Sequence, residues 1–146
     1  MTKAGPTPYP IRCFRCLRLL LHLVWIGIGT FIFYPLIGEK RRAFLKQRWS
    51  HQILKILSVH LETLPTDAPH GSLIVANHIS WLDIFAVYAL RPVAFISKAE
   101  IRQWPFFGWL AKQNDTVFLR RGSRGHARIV NAEIDALLNT GMDVAI

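Results

Sequence analysis

Hydrophobic and polar positions change rhythm twice along this chain. From Leu19 to Ile37, "LLLHLVWIGIGTFIFYPLI" is apolar except for His22 and Thr30, and it holds no acid, lysine or arginine. With a rise of 1.5 Å per residue, about 20 apolar residues cross a bilayer core, so the run is just long enough to embed as a helix. Pro35 bends or ends it. From Arg41 to Leu64 the rhythm becomes amphipathic. Leu45, Trp49, Ile53, Ile56, Leu57, Leu61 and Leu64 recur at the spacing of one helix face, while Arg41, Arg42, Lys46, Arg48 and Lys55 fall largely elsewhere. Such a helix suits the plane of a membrane surface, or it packs its apolar face on the domain and leaves its charges in water.

After the Pro- and Gly-marked connection "LPTDAPHGS" the pattern shortens. "SLIVAN" reads as a strand buried on both faces, "ISWLDIFAVYAL" as a helix and "PVAFIS" as a second strand. "KAEIRQWPFFGWLAKQ" is a helix broken around Pro105 and Gly108, and "DTVFLR" is a third strand. "SRGHARIVNAEIDALLNTG" is a helix closed by Gly141, and "GMDVAI" opens a further strand. The alternation predicts an α/β fold. A mostly parallel sheet is flanked by helices and preceded by an N-terminal membrane-embedded helical segment. The expected division is a membrane-associating part over 1–64 (apolar 19–37, amphipathic 41–64) and an αβ part over 65–146. That last strand halts at Ile146, so the pattern implies an αβ domain lacking its C-terminal portion.

Composition sharpens this picture at two points. The 146 residues suffice for one domain, and a mean hydropathy of +0.25 lies above that of an ordinary soluble domain. The formal charge of +9 suits nucleic-acid phosphates or anionic lipid headgroups. Many of the cations cluster around the apolar run, Arg12, Arg15 and Arg18 before it and Lys40, Arg41 and Arg42 after it. That distribution favours a lipid surface over nucleic acid, and with both flanks basic it sets no orientation. The two cysteines form one C-x-x-C, Cys13 to Cys16, with no second pair for zinc and no disulfide framework, so a reducing compartment is the simpler setting.

Candidate chemistry gathers in "NHISWLD", Asn77 to Asp83. In a βαβ sheet ligands bind outside the carboxyl ends of the strands, and His78 directly follows one. On a continuous helix residues five apart diverge by roughly 140°. A loop ahead of the helix lets His78 fold back over Asp83, which then fixes the imidazole tautomer and steadies the imidazolium. The free ring nitrogen would act as a general base toward a hydroxyl. Ser80-x-x-Asp83 is equally a capping box, with Asp83 serving the helix start and Asn77 and His78 serving the loop backbone. No Gly-x-Ser-x-Gly elbow supports a serine hydrolase.

"NHISWLD" resembles the Asn-His-x-x-x-x-Asp motif of the glycerolipid acyltransferases, most closely the 1-acylglycerol-3-phosphate acyltransferase group. "DTVFLRRGSR" is similar to that family's second block, Gly-x-x-Phe-Ile-Asp/Glu-Arg. Phe118 and Arg121 match and Leu119 is a mild change, while Asp115 replaces the glycine and Arg120 the acid. "SKAEIRQWPFFGW" resembles the segment between the blocks. The likeness covers roughly Leu73 to Ile146; the third block, Phe-Pro-Glu-Gly-Thr, would follow the strand that begins at Val144, and neither it nor a fourth block occurs.

The resemblance implies transfer of a fatty acyl group from acyl-CoA or acyl-carrier protein to a free hydroxyl of 1-acylglycerol-3-phosphate, giving phosphatidate. No cofactor or metal is implied. His78 is the implied base and Asp83 its support, with Asn77 and Ser80 in the supporting loop. Arg121 is the implied holder of the acceptor phosphate, with Phe118, Arg120 and Lys98 as further substrate-binding candidates and Arg124 nearby. An arginine fork suits phosphate geometry. With Arg120 in place of the acid the site is more positive, so a lyso-aminolipid acceptor is an alternative. An inactive membrane-binding fragment of the same family is another. "WPFFGWL", Trp104 to Leu110, lines an acyl channel, dips into lipid or packs as core. The implied location is the cytoplasmic face of the inner (plasma) membrane, with membrane lipids, lysophospholipid and acyl donor as partners and no nucleic acid.

Overall fold

The computed structural model describes residues 8–64, 68–77, 80–120 and 124–146. Helix α1 spans Tyr9–Phe33, followed by a 3-10 turn over Tyr34–Leu36, and α2 spans Glu39–Leu57. Helix α1 begins ten residues before the apolar run, because Pro10 fits the first turn of a helix and nothing between it and Leu19 breaks one. Pro35 lies in the 3-10 turn that ends α1, as its missing N–H requires. The amphipathic helix is shorter than its periodicity suggests. It stops at Leu57, where Ser58 turns left-handed at φ 57°, and Leu64 is left exposed.

The two helices pack on each other through Ile26, Tyr34, Trp49 and Ile53, with Phe85 and Leu110 of the αβ body closing the same cluster. Gly29 makes this possible. A Cβ there would stand 2.9 Å from the Trp49 indole, so only a bare backbone admits the ring. Tyr34 and Trp49 stack at 6.2 Å. Of the two roles open to α2, burial against the body is the one its apolar face performs: Trp49, Ile53, Leu54 and Ile56 are all buried.

The sheet holds four parallel strands in the order β1-β4-β2-β3: Leu73–Ile74, Asp143–Ala145, Val93–Lys98 and Val117–Leu119. Between them run α3 (Leu82–Leu90), a 3-10 helix (Ala99–Gln103), α4 (Pro105–Lys112) and α5 (Arg124–Asn139). The break predicted around Pro105 falls at Trp104, with Pro105 opening α4. One expectation fails. Among the described residues "SLIVAN" lies at the edge of the sheet, with Leu73 and Val75 exposed, because β4 inserts between it and β2 and takes an interior place. All three β4 residues are buried.

Among the described residues two charged groups are buried. Asp143, 1% exposed, opens β4 at the amino edge of the sheet. It accepts from the Ser72 N–H at 2.9 Å and pairs with Arg91 Nε at 2.7 Å, tying β1, β4 and the end of α3 together. Lys46 of α2, 8% exposed, pairs with Asp115 at 3.4 Å and stands 5.5 Å from the Tyr88 ring centre. Burial lowers the Lys46 pKa, and Asp115 opposes that shift.

The Lys46 pair is asymmetric, since Asp115 is 55% exposed. Replacing Lys46 by Met leaves a carboxylate that water can solvate, and stability in denaturant titrations is expected to change by less than about 1 kcal/mol. Asp115→Asn leaves the ammonium without a counter-charge, and a loss of about 3 kcal/mol is expected. The unfolded chain holds the Lys46 proton more tightly than the folded one. This site's contribution therefore rises with pH between the folded value and 10.5, and Lys46→Met is expected to flatten that rise.

Candidate active site

Parallel strands place all their carboxyl ends on one edge, and the residues singled out from sequence are distributed along it. Asn77 lies just past β1 and is exposed, in a stretch anchored by the Ala76 N–H donating to the Ile146 carbonyl at 2.9 Å. Ser80 and Asp83 follow at the start of α3. His78 and Arg121, the sequence-derived base and phosphate ligand, lie outside the described residues.

The start of α3 is a reciprocal cap. The Ser80 N–H donates to Asp83 Oδ2 at 2.7 Å, and the Leu82 N–H donates to Ser80 Oγ at 3.2 Å. The Asp83 N–H donates to the Ser80 carbonyl at 3.0 Å. These bonds satisfy amides that a helix start leaves unpaired, and they fix the Asp83 carboxylate in a half-buried position beside the β1 exit. The capping role and a catalytic one do not exclude each other, because a carboxylate accepts about four hydrogen bonds.

At the other end of the same edge is a cleft of about 450 Å³ lined by Ala99, Glu100, Arg102, Gln103, Phe118 and Arg120. It forms because β2 and β3 run in register to their ends, Ser97 opposite Phe118 and Lys98 opposite Leu119, and then diverge. The structure thus brings Phe118 and Arg120 to one site. Lys98 closes β2 as an exposed residue, and the cleft wall begins with its neighbour Ala99. Sequence reading passed over Glu100 and Arg102. Their signal was position alone, directly after a strand at the ligand-binding edge. The Arg102 guanidinium lies 6.0 Å from the Phe118 ring centre, a cation–π contact that orients it on the cleft wall.

The departure at Asp115 has a structural basis. Its backbone is left-handed at φ 55°, a conformation that favours glycine and that Asp tolerates better than most residues. Asp keeps the turn into β3 and adds a carboxylate for Lys46. In the Trp104–Leu110 segment, Trp104, Phe106 and Phe107 are exposed and form an edge-to-face cluster, while Trp109 and Leu110 are half-buried. Phe106 reaches α1, its ring 2.9 Å from where a Gly27 Cβ would be. The described residues contain no group of three His, Cys, Asp or Glu placed to hold a metal.

The family model described as Acyltransferase matches residues 56–146. The chain is 46% identical over 135 residues to a lyso-ornithine lipid O-acyltransferase of Pseudomonas aeruginosa, covering 87% of this chain and 52% of that protein. It is 39% identical over 95 residues to a 1-acyl-sn-glycerol-3-phosphate acyltransferase of Neisseria meningitidis, covering 64% of this chain and 37% of that protein. A yeast protein of the latter name is 27% identical over 133 residues. The chain spans about half the length, or less, of these curated relatives. No solved structure matches it significantly.

The cap separates two roles of Asp83 experimentally. Ser80→Ala removes the acceptor for the Leu82 N–H and is expected to cost about 1 kcal/mol in chemical denaturation. Asp83→Asn keeps an oxygen for the Ser80 N–H and is expected to cost less, so any larger functional loss in that variant reports something other than the cap.

Proposed function

We propose, on the premise that this chain belongs to the Acyltransferase family, that it esterifies the free hydroxyl of a membrane lysolipid with a fatty acyl group taken from a thioester. The observation that carries the reading is the Asp83 carboxylate held at the carboxyl edge of the sheet, five residues after His78 in the family's motif. His78 takes the proton of the acceptor hydroxyl as its oxygen attacks the thioester carbonyl. The C–S bond breaks, the thiolate of acyl-CoA or acyl-carrier protein leaves, and it receives the proton from the imidazolium. Asp83 holds the ring and balances its charge meanwhile. Direct attack needs no acyl-enzyme, no metal and no cofactor beyond the donor. Arg121 and Arg120 supply positive charge for the acceptor's anionic group.

Lysophosphatidate is the acceptor that the sequence motif favours. A lysolipid with an amino-acid headgroup is the second reading, favoured by Arg120 in place of the family's acid and by the long match to the Pseudomonas relative.

The N-terminal helices support a membrane seat. Among the described residues, Tyr9–Leu36 is the one stretch long and apolar enough to cross a bilayer. Phe14, Leu17, Leu21, Val24, Trp25, Ile28 and Ile32 make an exposed apolar stripe at helical spacing. Through Phe106 the stripe continues to Phe107 and Trp104, beside the cleft. A lipid acceptor can then keep its chain in the bilayer while its headgroup meets the sheet edge. The cytoplasmic face is the proposed side, where thioester donors are made.

Transfer of labelled acyl groups to lysolipid in vesicles tests this. His78→Ala and Asp83→Asn are each expected to lower turnover by about 100-fold or more, with vesicle binding retained. Turnover indifferent to His78 would remove the general-base mechanism. A folded, vesicle-bound chain without turnover would make this polypeptide a membrane-binding module instead.

A further inference from the structure

Acyl transfer to a lysolipid makes no use of the first turns of α1, yet both cysteines of the chain lie there. Cys13 and Cys16 stand three residues apart on Tyr9–Phe33, and both are exposed. Two ordinary roles for such a pair fail on geometry. On a regular helix Cβ atoms three residues apart are about 5–6 Å from each other, whereas a disulfide needs about 3.5–4.5 Å. Zinc needs further ligands, and among the described residues no third His, Cys, Asp or Glu is grouped with the pair.

The surroundings of the thiols combine an apolar and a cationic element. Leu17 and Leu21 follow Cys13 at steps of four, Leu20 and Val24 follow Cys16 in the same way, and all four are exposed. Each thiol therefore heads a row of apolar side chains that the fold leaves uncovered. Arg12, Arg15 and Arg18 share these turns. With the apolar rows in lipid, the arginines extend to the headgroup level and fix the depth of their neighbours. Cys16 precedes Leu19 by three residues, about 4.5 Å along the axis, so the thiols lie at the lipid boundary. A long-chain acyl-CoA in a bilayer brings its thioester to that boundary. Its chain lies among the tails, and its phosphates meet the guanidiniums.

We propose that Cys13 and Cys16 are S-acylation sites that take a fatty acyl group from acyl-CoA at the membrane surface. The cysteine sulfur attacks the thioester carbonyl as a thiolate, and a new bond from sulfur to the acyl carbon forms. The bond to the CoA sulfur breaks, and the CoA thiolate leaves and takes up the proton that the cysteine gave. No oxidant, reductant or further reactant enters. The attached chain lies beside the apolar rows of α1 and adds a second anchor to the helix, the combination that makes membrane attachment lasting. The inference goes beyond acyl transfer to a lysolipid and rests only on the membrane seat of α1.

The test uses alkyne-tagged palmitoyl-CoA added to the chain on vesicles. Bound tag is measured after denaturation, before and after neutral hydroxylamine, which cleaves thioesters and spares oxygen esters. Wild type is expected to carry hydroxylamine-labile tag, and the double variant Cys13→Ser/Cys16→Ser about tenfold less or lower still. Lysolipid turnover and initial vesicle binding are expected to be the same in both. The tagged wild-type chain is further expected to stay on vesicles through a high-salt wash better than the double variant. His78→Ala is expected to be tagged like wild type, which separates this step from the acyl-transfer centre. Tag that resists hydroxylamine, or that persists in the double variant, would overturn the assignment. So would a vesicle-bound wild-type chain that takes up no tag. A wild-type chain that does not bind vesicles would overturn the membrane seat, and this inference with it.

Discussion

One buried ammonium constrains how the N-terminal helices meet the αβ body. Lys46 lies on the face of α2 that packs inward, and burying a charge is tolerated only if a counter-charge meets it. The counter-charge is Asp115, at the turn into β3. The match therefore sets how the N-terminal helix pair docks on the αβ body, because a shift of α2 along its axis would separate the two groups. Neighbouring polar contacts agree with the same docking. The Tyr34 hydroxyl donates to Asn114 Oδ1 at 3.3 Å, and Arg42 donates to the Tyr34 carbonyl at 2.6 Å. Burial also pushes the Tyr88 phenol well above its usual pKa, keeping it neutral beside the ammonium. The strand after Asp115 runs to Leu119 and leads into Arg120, so the joint that seats the N-terminal helices also positions one wall of the cleft, at Phe118 and Arg120.

A second constraint is the spacing of the sheet. In the order β1-β4-β2-β3 the exits of β1 and β3 are three strand spacings apart, about 14 Å. Asn77 follows β1 at one end of that row, and the cleft lined by Arg102, Phe118 and Arg120 opens at the other. Long side chains suit such a division, since an arginine reaches several ångströms inward from a strand end. Among the described residues the amino edge carries a structural ion pair. It is closed by Asp143, Arg91 and the Ser72 N–H, which join strand ends far from the site. The buried ion pair and the proposed site thus lie at opposite edges of one sheet.

What the sequence determined by itself was whatever depends on local pattern. Apolar run length, period and breakers set α1, α2, the strand–helix alternation and the break before Pro105. Spacing alone allowed a capping box at Ser80 and Asp83, and the bonds are there because a helix start always has amides to satisfy. Tertiary structure decided everything that depends on which strand lies beside which. Hydrophobic strands look alike in sequence, so "SLIVAN" read as a core strand although among the described residues it lies at the edge, and the short "DVA" took an interior place. The amphipathic period ran past Leu57 because periodicity does not register the left-handed turn at Ser58. Lys46 and Asp115, 69 residues apart, show no mutual signal in sequence, and neither do Glu100, Arg102 and Phe118 as a cleft. Contacts between distant residues follow from how buried surfaces and charges find partners in three dimensions, and that is settled only when the sheet order is.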